Sequence, residues 1–336
     1  MKLRQELLAS ARRIVVKFGT GLLTDDSNRL SPERISALVV EVAGLRAQKR
    51  QVVLVSSGAI AAGMAELGWS KRPKQLHELQ AAAAIGQGKL MALYDAAFGR
   101  HDLRVAQVLL THDDLNDRQR HLNARNTLET ILSHGVVPVI NENDTVAVDE
   151  IKFGDNDRLG ALTATLIDAD LLVILSHVEG LLDRENRVVP VVPKITRDIE
   201  ALAGGTDRVT SVGGMKSKIE AAKIVTRSGI PMVIANELTG EGGTVFLPAG
   251  KLPSRKRWIA FFQRPAGTII VDDGAKEALC ANGRSLLAKG VVATEGKFAE
   301  GDVVSIRGKD QVEFARGLVK KPGGAVIVHR DDLVVL

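Results

Sequence analysis

The chain has 336 residues, 45% of them hydrophobic, a formal net charge of +5 and a single cysteine, Cys280. That length accommodates about two domains. The lone cysteine excludes an internal disulfide framework, and no apolar run reaches the roughly 20 residues of a membrane-spanning helix.

In chain order, the N-terminal stretch MKLRQELLASARR is charged and interrupted, unlike a secretory signal, so a soluble cytoplasmic protein is expected. Short, almost continuous apolar runs then recur: RIVVKF (13–18), QVVLVS (51–56), RVAQVLL (104–110), VVPVI (136–140), LLVILS (171–176) and IPMVIA (230–235). Runs of this kind suit strands buried on both faces of a parallel sheet. Helical patterns lie between them. Ser31 followed by Pro32 is an N-cap and first-turn pair, after which Ile35, Leu38, Val39, Val42 and Leu45 mark one face. Further helices are expected near 76–98, 118–134, 157–168 and 215–228. The alternation predicts a doubly wound α/β domain with a mainly parallel sheet over residues 1–250.

The texture changes near residue 240. GEGGTVFLPAGKLPSRKR, rich in Gly, Pro and basic residues, reads as a linker. Beyond it, GTIIVD, GVVATEG, DVVSIRG and GAVIVHR are short β-type runs around one helix-like piece, DGAKEALCANG. A small, mostly β domain over 251–336 follows, as a barrel or sandwich. It holds the whole charge excess, with 15 Lys and Arg against 10 Asp and Glu, while residues 1–250 balance. Such a tail raises RNA as an acidic partner, although aromatic residues for base stacking are scarce at 3%.

Ligands in open α/β sheets collect at the carboxyl ends of the strands. Those ends carry KFGTGLL with Lys17 and Gly19, SSGAIAAG with Ser57 and Gly58, and NENDTVA with Asp144. GGMKSK, with Lys218, precedes the last helix of the series. FGDNDRLGA (153–161) crowds two acids and an asparagine before an apolar helix. One helix cap needs only one such residue, so capping leaves part of the cluster unexplained. Two lysines, glycine-rich strand ends and an acid cluster match the needs of phosphoryl transfer: cations for the moving group, N–H groups for the other phosphates, a carboxylate to hold lysines or Mg²⁺. No Cys/His cluster is present, so no structural zinc and no protein metal ligand are assigned.

In order and spacing, VVKFGT, SSGAIAAG, LNARNT, PVINENDTVA, IKFGDNDRLGA and GGMKSKIEAA resemble the amino acid kinase family, in its branch that phosphorylates L-glutamate on the way to proline. RKRWI, VDDGAKEAL, SLLAKGV, GKFAEGDVVSI and VIVHRDDL resemble a PUA domain. The resemblance implies ATP with Mg²⁺, L-glutamate as acceptor, γ-glutamyl phosphate as product, feedback inhibition by proline, and a homodimer or homotetramer. Carried over by motif, it implies that Lys17 and Lys218 contact the phosphates and that Asp157 orients them. Ser57, Asp144 and Asn156 hold glutamate. Gly19, Ser176, His177, Val212, Gly213, Gly214, Met215, Lys216 and Ser217 join the two lysines around the nucleotide. Ser176-His177 departs from the Thr-Asp common in the family, and Val212 from a common Thr. Two other readings stay open: the same fold acting on acetylglutamate, aspartate or carbamate, and an RNA-binding protein with an inert kinase-like part.

Overall fold

The computed structural model describes residues 2–25, 27, 29–147, 156–203, 214–236, 243–248 and 250–336. The chain forms two units, one of Met1–Asp114 and Arg118–Lys251, the other of Leu115–Asp117 and Leu252–Leu336.

In the first unit, α1 (Lys2–Ser10) precedes β1 (Arg13–Phe18), α2 (Thr20–Leu23), α3 (Pro32–Ala47), β2 (Gln51–Ser56), α4 (Ala59–Glu66) and α5 (Leu76–Gly99). Then come β3 (Val105–Leu110), α6 (His112–Asn116, of which Leu115 and Asn116 count with the second unit), α7 (Arg118–Ser133), β4 (Val137–Glu142), α8 (Asn156–Leu166) and β5 (Leu171–Ser176). β6 (Val191–Val192), α9 (Arg197–Leu202), α10 (Met215–Arg227), β7 (Met232–Asn236) and β8 (Thr244–Phe246) complete it. The eight strands are ordered β3-β4-β2-β1-β5-β7-β8-β6. Neighbours from β3 to β7 run parallel. Sheet order moves from β1 to β2 on one side and to β5 on the other, so the reversal falls at β1, where the rule for open α/β sheets places ligands.

The expected strands and helices are present, with ends moved by a residue or two. The linker reading of GEGGTVFLPAGKLPSRKR is corrected. Thr244–Phe246 is a strand, antiparallel to β7 and parallel to β6. Thr244, Val245 and Phe246 are buried, and the Thr244 hydroxyl accepts from the Leu181 N–H. Three residues between glycines and a proline are too short a run to signal a strand, yet their burial completes the sheet. Ser254–Arg257 is a helical turn, α11. Ser31 does cap α3, accepting from the Arg34 N–H.

The core of this unit lies around the sheet and α5, with Tyr94 and Phe98 fully buried. The Tyr94 hydroxyl sits 2.9 Å from Ser56 Oγ, tying α5 to the end of β2. α4 and α5 approach so closely that a Cβ on Gly63 would stand 1.7 Å from the Ala82 carbonyl oxygen, and one on Gly86 would stand 1.9 Å from that of Ala59.

The second unit continues from α11 through a π-helical turn (Trp258–Phe262) to β9 (Gly267–Val271), α12 (Asp273–Cys280) and β10 (Leu286–Leu287). β11 (Val291–Gly296), β12 (Val303–Arg307), β13 (Glu313–Val319) and β14 (Val326–Val335) follow. They make one six-stranded sheet, β10-β14-β13-β12-β9-β11, over its own core of Ile269, Val271, Val304, Ile306, Ala315 and Val328. β13, unmarked in the sequence reading, alternates buried and half-buried positions, and its Arg316 and Glu313 pair on the same strand. Those charges mask its period.

Among the described residues no helix is long and apolar enough to cross a membrane.

Candidate active site

The carboxyl ends of β1, β2, β4 and β5 open into one cleft of about 860 Å³. Of the residues singled out by sequence, Lys17, Gly19, Ser57, Asp144, Asn156, Asp157, Ser176, His177 and Lys218 line it. Register explains part of this: Phe18 pairs with Ser56 on one side of β1, and Lys17 pairs with Ile174 on the other. The ends of adjacent parallel strands therefore sit side by side.

Lys17 and Lys218 converge on one carboxylate. Lys17 Nζ is 2.6 Å from Asp157 Oδ1, and Lys218 Nζ is 3.0 Å from Asp157 Oδ2. All three are buried, with exposures of 8%, 4% and 1% for Lys17, Lys218 and Asp157. Ser217 Oγ donates to the same Oδ2 at 2.7 Å. Burial works to raise the Asp157 pKa. The charges of Lys17 and Lys218 and the hydrogen bonds from Lys17 and Ser217 more than offset that, so the carboxylate is held below its ordinary range. Asp157 lies in the first turn of α8, where a negative charge also suits the helix dipole. α8 is buried along its whole length, which fixes this carboxylate rigidly.

Of GDND, expected to cap a helix and serve the site, the last two residues are described. Gly154 and Asp155 lie outside the described residues. Asn156 and Asp157 are helical, and their side chains turn to the strand ends. Asn156 Nδ2 donates to the Ser56 carbonyl at 3.1 Å, to Ser57 Oγ at 2.7 Å and to Asn141 Oδ1 at 3.2 Å. Ser57 follows β2, just before Gly58, whose φ of +103° turns the chain into α4. The first turn of α4 lines the cleft beside it.

Asp144 stands on the loop after β4. That loop is pinned by Val146 and Ala147 N–H groups donating to the Asn143 carbonyl, and by Gln80 Nε2 donating to that of Ala147. Burial pushes the Asp144 carboxyl up to about 6, with the charge of Arg72 working the other way. Arg72 lines the same cleft, as do Trp69 and Arg29. No motif spacing marked these three.

On the other side, Ser176 ends β5 buried and His177 follows exposed. Gly214 is the N-cap position of α10, and Lys218 is its fourth residue. Met215 and Lys216 are half-buried and exposed, and neither they nor Gly214 and Ser217 line the cleft. Val212 and Gly213 lie outside the described residues.

Residues 12–236 match the model of the amino acid kinase family, two thirds of the chain. This chain belongs to the amino acid kinase family. Residues 267–324 match the PUA domain. The glutamate 5-kinase of Pelobacter propionicus is 47% identical, aligned over 373 positions that cover 99% of this chain and all of that protein. Those of Geobacter metallireducens and Cupriavidus metallidurans are 46% and 44% identical over 99% of the chain. These alignments are longer than the 336 residues of the chain, so gaps fall within it. Among solved structures, the carbamate kinase of Giardia lamblia, bound to AMP-PNP, superposes with a TM-score of 0.51 at 18% identity, over 71% of this chain and 99% of that one. That likeness concerns the fold.

For an amino acid kinase family member the geometry has a clear division. One end of the cleft gathers fixed positive charge on a buried carboxylate. Beside it the same cleft gathers the Ser57 hydroxyl, the Asn156 amide and the Asp144 carboxylate, the last within the field of Arg72.

Proposed function

We propose that this chain is an ATP-dependent glutamate 5-kinase: it moves the γ-phosphoryl group of ATP to the side-chain carboxylate of L-glutamate, giving γ-glutamyl phosphate. The observation that carries this reading is the Lys17–Asp157–Lys218 cluster set beside Ser57, Asn156 and Asp144 in one cleft, in a chain whose full-length relatives are glutamate 5-kinases.

The nucleophile is a carboxylate with an ordinary pKa of about 4.3, ionised at neutral pH. It needs no general base. The obstacle is repulsion between an anionic acceptor and an anionic phosphoryl group. Lys17 and Lys218 meet it as fixed cations, and Asp157 prevents either from swinging away. In the transition state, charge on the equatorial phosphoryl oxygens and the leaving oxygen is balanced by these ammonium groups. Ser57 and Asn156 hold the acceptor in line, Asp144 pairs with its ammonium group, and N–H groups of the first α4 turn meet its α-carboxylate. Gly19, Ser176, His177 and Lys218 face the nucleotide in this reading.

Asp157 is already engaged by two lysines, and among the described residues no three His, Cys, Asp or Glu side chains gather as a caged metal requires. This donor set suits a Mg²⁺ ion carried by the phosphate oxygens of ATP. When bound, that ion adds positive charge to them. The family reading further implies a cytoplasmic enzyme at the first step of proline synthesis, a homo-oligomer, and inhibition by proline. RNA binding by the PUA domain is the less favoured role for the tail.

The test is an acceptor panel. Purified protein with ATP is offered glutamate, N-acetylglutamate, aspartate and carbamate, with acyl phosphate trapped by hydroxylamine and proline as a further arm. Turnover with glutamate at least about a hundredfold above the others is expected. Preference for another acceptor overturns the assignment.

A further inference from the structure

Behind the acceptor end of the cleft lies a buried chain of amides. Gln87, on α5, is 8% exposed and does not line the cleft. Its Oε1 accepts from Asn141 Nδ2 at 2.9 Å. Asn141, near the end of β4, in turn accepts through Oδ1 from Asn156 Nδ2 at 3.2 Å. Gln87 Nε2 is buried and makes no hydrogen bond among the described residues.

The polarity of this chain is forced from one end. The Ser56 carbonyl is an acceptor only, so the end of the Asn156 amide 3.1 Å from it is the NH₂ group. The Asn141 atom facing that NH₂ must be its oxygen, which leaves the Asn141 NH₂ facing Gln87. Gln87 must then present its own oxygen. The two hydrogens of the Asn156 NH₂ are thereby shared among Ser56, Ser57 and Asn141, and its carbonyl oxygen is left for the cleft that Asn156 lines. A carbonyl oxygen attracts an ammonium group; an NH₂ in its place would repel one. Flipping the amide would also leave buried acceptors unmatched, a costly change in a dry interior. An unsatisfied nitrogen on Gln87 is itself costly, and the ordered orientation of the three amides accompanies that cost.

We propose that Gln87 is a positioning residue which, through Asn141, locks the Asn156 amide with its oxygen toward the cleft, and so selects an acceptor carrying an ammonium group. This rests on reading that end of the cleft as the glutamate site. Its signature is discrimination between glutamate and glutarate, the same dicarboxylate without the amine.

The experiment compares Gln87→Met and Gln87→Glu with the unaltered full chain. It measures KM for glutamate and for ATP, kcat, and inhibition by glutarate, with melting curves to confirm folding. Gln87→Met removes the acceptor for Asn141; glutamate KM is expected to rise about tenfold, the scale of one buried hydrogen bond, with ATP KM, kcat and glutarate inhibition within about twofold. Gln87→Glu keeps an acceptor oxygen and restores glutamate KM to within about threefold. An unchanged glutamate KM in Gln87→Met, while Asn156→Ala raises it, overturns the relay and leaves the acceptor site standing. Glutamate KM unmoved in Asn156→Ala and Asp144→Ala as well overturns the acceptor site itself. Equal weakening of glutamate, glutarate and ATP also overturns the proposal, since it marks a structural role alone. Should Gln87→Met not fold, hydrogen exchange of the Asn156 side-chain amide in the unaltered protein decides. Protection by about a hundredfold or more supports the lock, and exchange at the rate of a free amide overturns it.

Discussion

Asp157 holds two cations with one carboxylate, which makes the three residues unequal. Replacing Lys17 or Lys218 by alanine leaves Asp157 paired with the other lysine. Each variant is expected to melt within a few degrees of the parent yet lose about a hundredfold or more in kcat, the scale of one transition-state donor. Asp157→Asn is different. It leaves two buried ammonium groups without their counter-charge, the kind of loss that costs about 3–5 kcal/mol. A sharply lower urea midpoint for Asp157→Asn, beside near-parental midpoints for the lysine variants, is the result to look for. Equal melting of all three would mean the lysines are not held as a pair.

Asp144 carries the pH dependence. Its pKa of about 6 lies above the ordinary carboxylate value of 3.8, raised by burial. Between those values the folded chain binds more protons than the unfolded one, so this group's contribution to stability falls as pH rises through that window and is least favourable above pH 6. The half-buried side chain is partly screened, so the penalty at pH 7.5 is about 1 kcal/mol. Asp144→Asn should therefore melt higher than the parent at pH 7.5 and level with it near pH 3.5. Binding runs the other way. Below pH 6 the group loses the charge proposed to meet the substrate ammonium, so glutamate KM should climb about tenfold per unit while ATP KM stays flat. A flat glutamate KM from pH 5 to 8 would remove Asp144 from that role.

Among elements, the crossing of α4 and α5 sets the part of the cleft proposed to hold the acceptor. Ser57 and the first turn of α4 are placed by how closely α4 seats on α5, and that approach depends on Gly63 and Gly86. A methyl on Gly86 would stand 1.9 Å from the Ala59 carbonyl oxygen, with backbone rather than a flexible side chain in the way. Gly86→Ala must push the helices apart, at a cost of about 1–3 kcal/mol as for overpacking, and should raise glutamate KM more than ATP KM. Gly88→Ala, on the same helix with no atom within 4 Å of the added carbon, is the control and should be neutral or slightly stabilising. Similar melting of the two variants would refute the account.

The same elements show what sequence can carry. The buried strands were legible because a central parallel strand needs apolar residues on both faces, and the short runs around Val15, Val53 and Leu172 meet that need. Lys17, Asp157 and Lys218 were legible only by motif. No spacing rule says that residues 17, 157 and 218 meet; the doubly wound topology does that by packing α8 over β1 and α10 against α8. α4 and Gln87 were not legible at all. AIAAGMAE has too little contrast for a period, and nothing in AAAAIGQGKL distinguishes an amide turned toward Asn141 from one in solvent. β8 was hidden for the opposite reason: its glycines and proline are genuine turn signals, and its burial comes from β6 and β7 rather than from its own length.

At the scale of the whole molecule, the two units have separate cores, one built on Tyr94, Phe98 and the central strands, the other on Ile269, Val304 and Val328. All the residues assigned to the cleft belong to the first. The chain can therefore be cut, but where it is cut matters. Ending at Asn236 removes β8, whose Val245 and Phe246 are buried and on which β6 depends for its pairing. Ending at Lys251 keeps the sheet whole. The protein ending at Lys251 is expected to fold and to retain measurable kinase activity with glutamate, whereas the one ending at Asn236 should melt far lower or fail to fold. Residues 251–336 carry the +5 excess, so the intact protein should bind RNA weakly, with affinity falling steeply as salt rises, as for contacts to phosphates alone. Gel filtration and a proline titration of the Lys251 form then show whether the tail governs assembly or inhibition. A folded Lys251 form devoid of activity would make the PUA domain part of catalysis, and tight RNA binding that survives high salt would make nucleic acid its true partner.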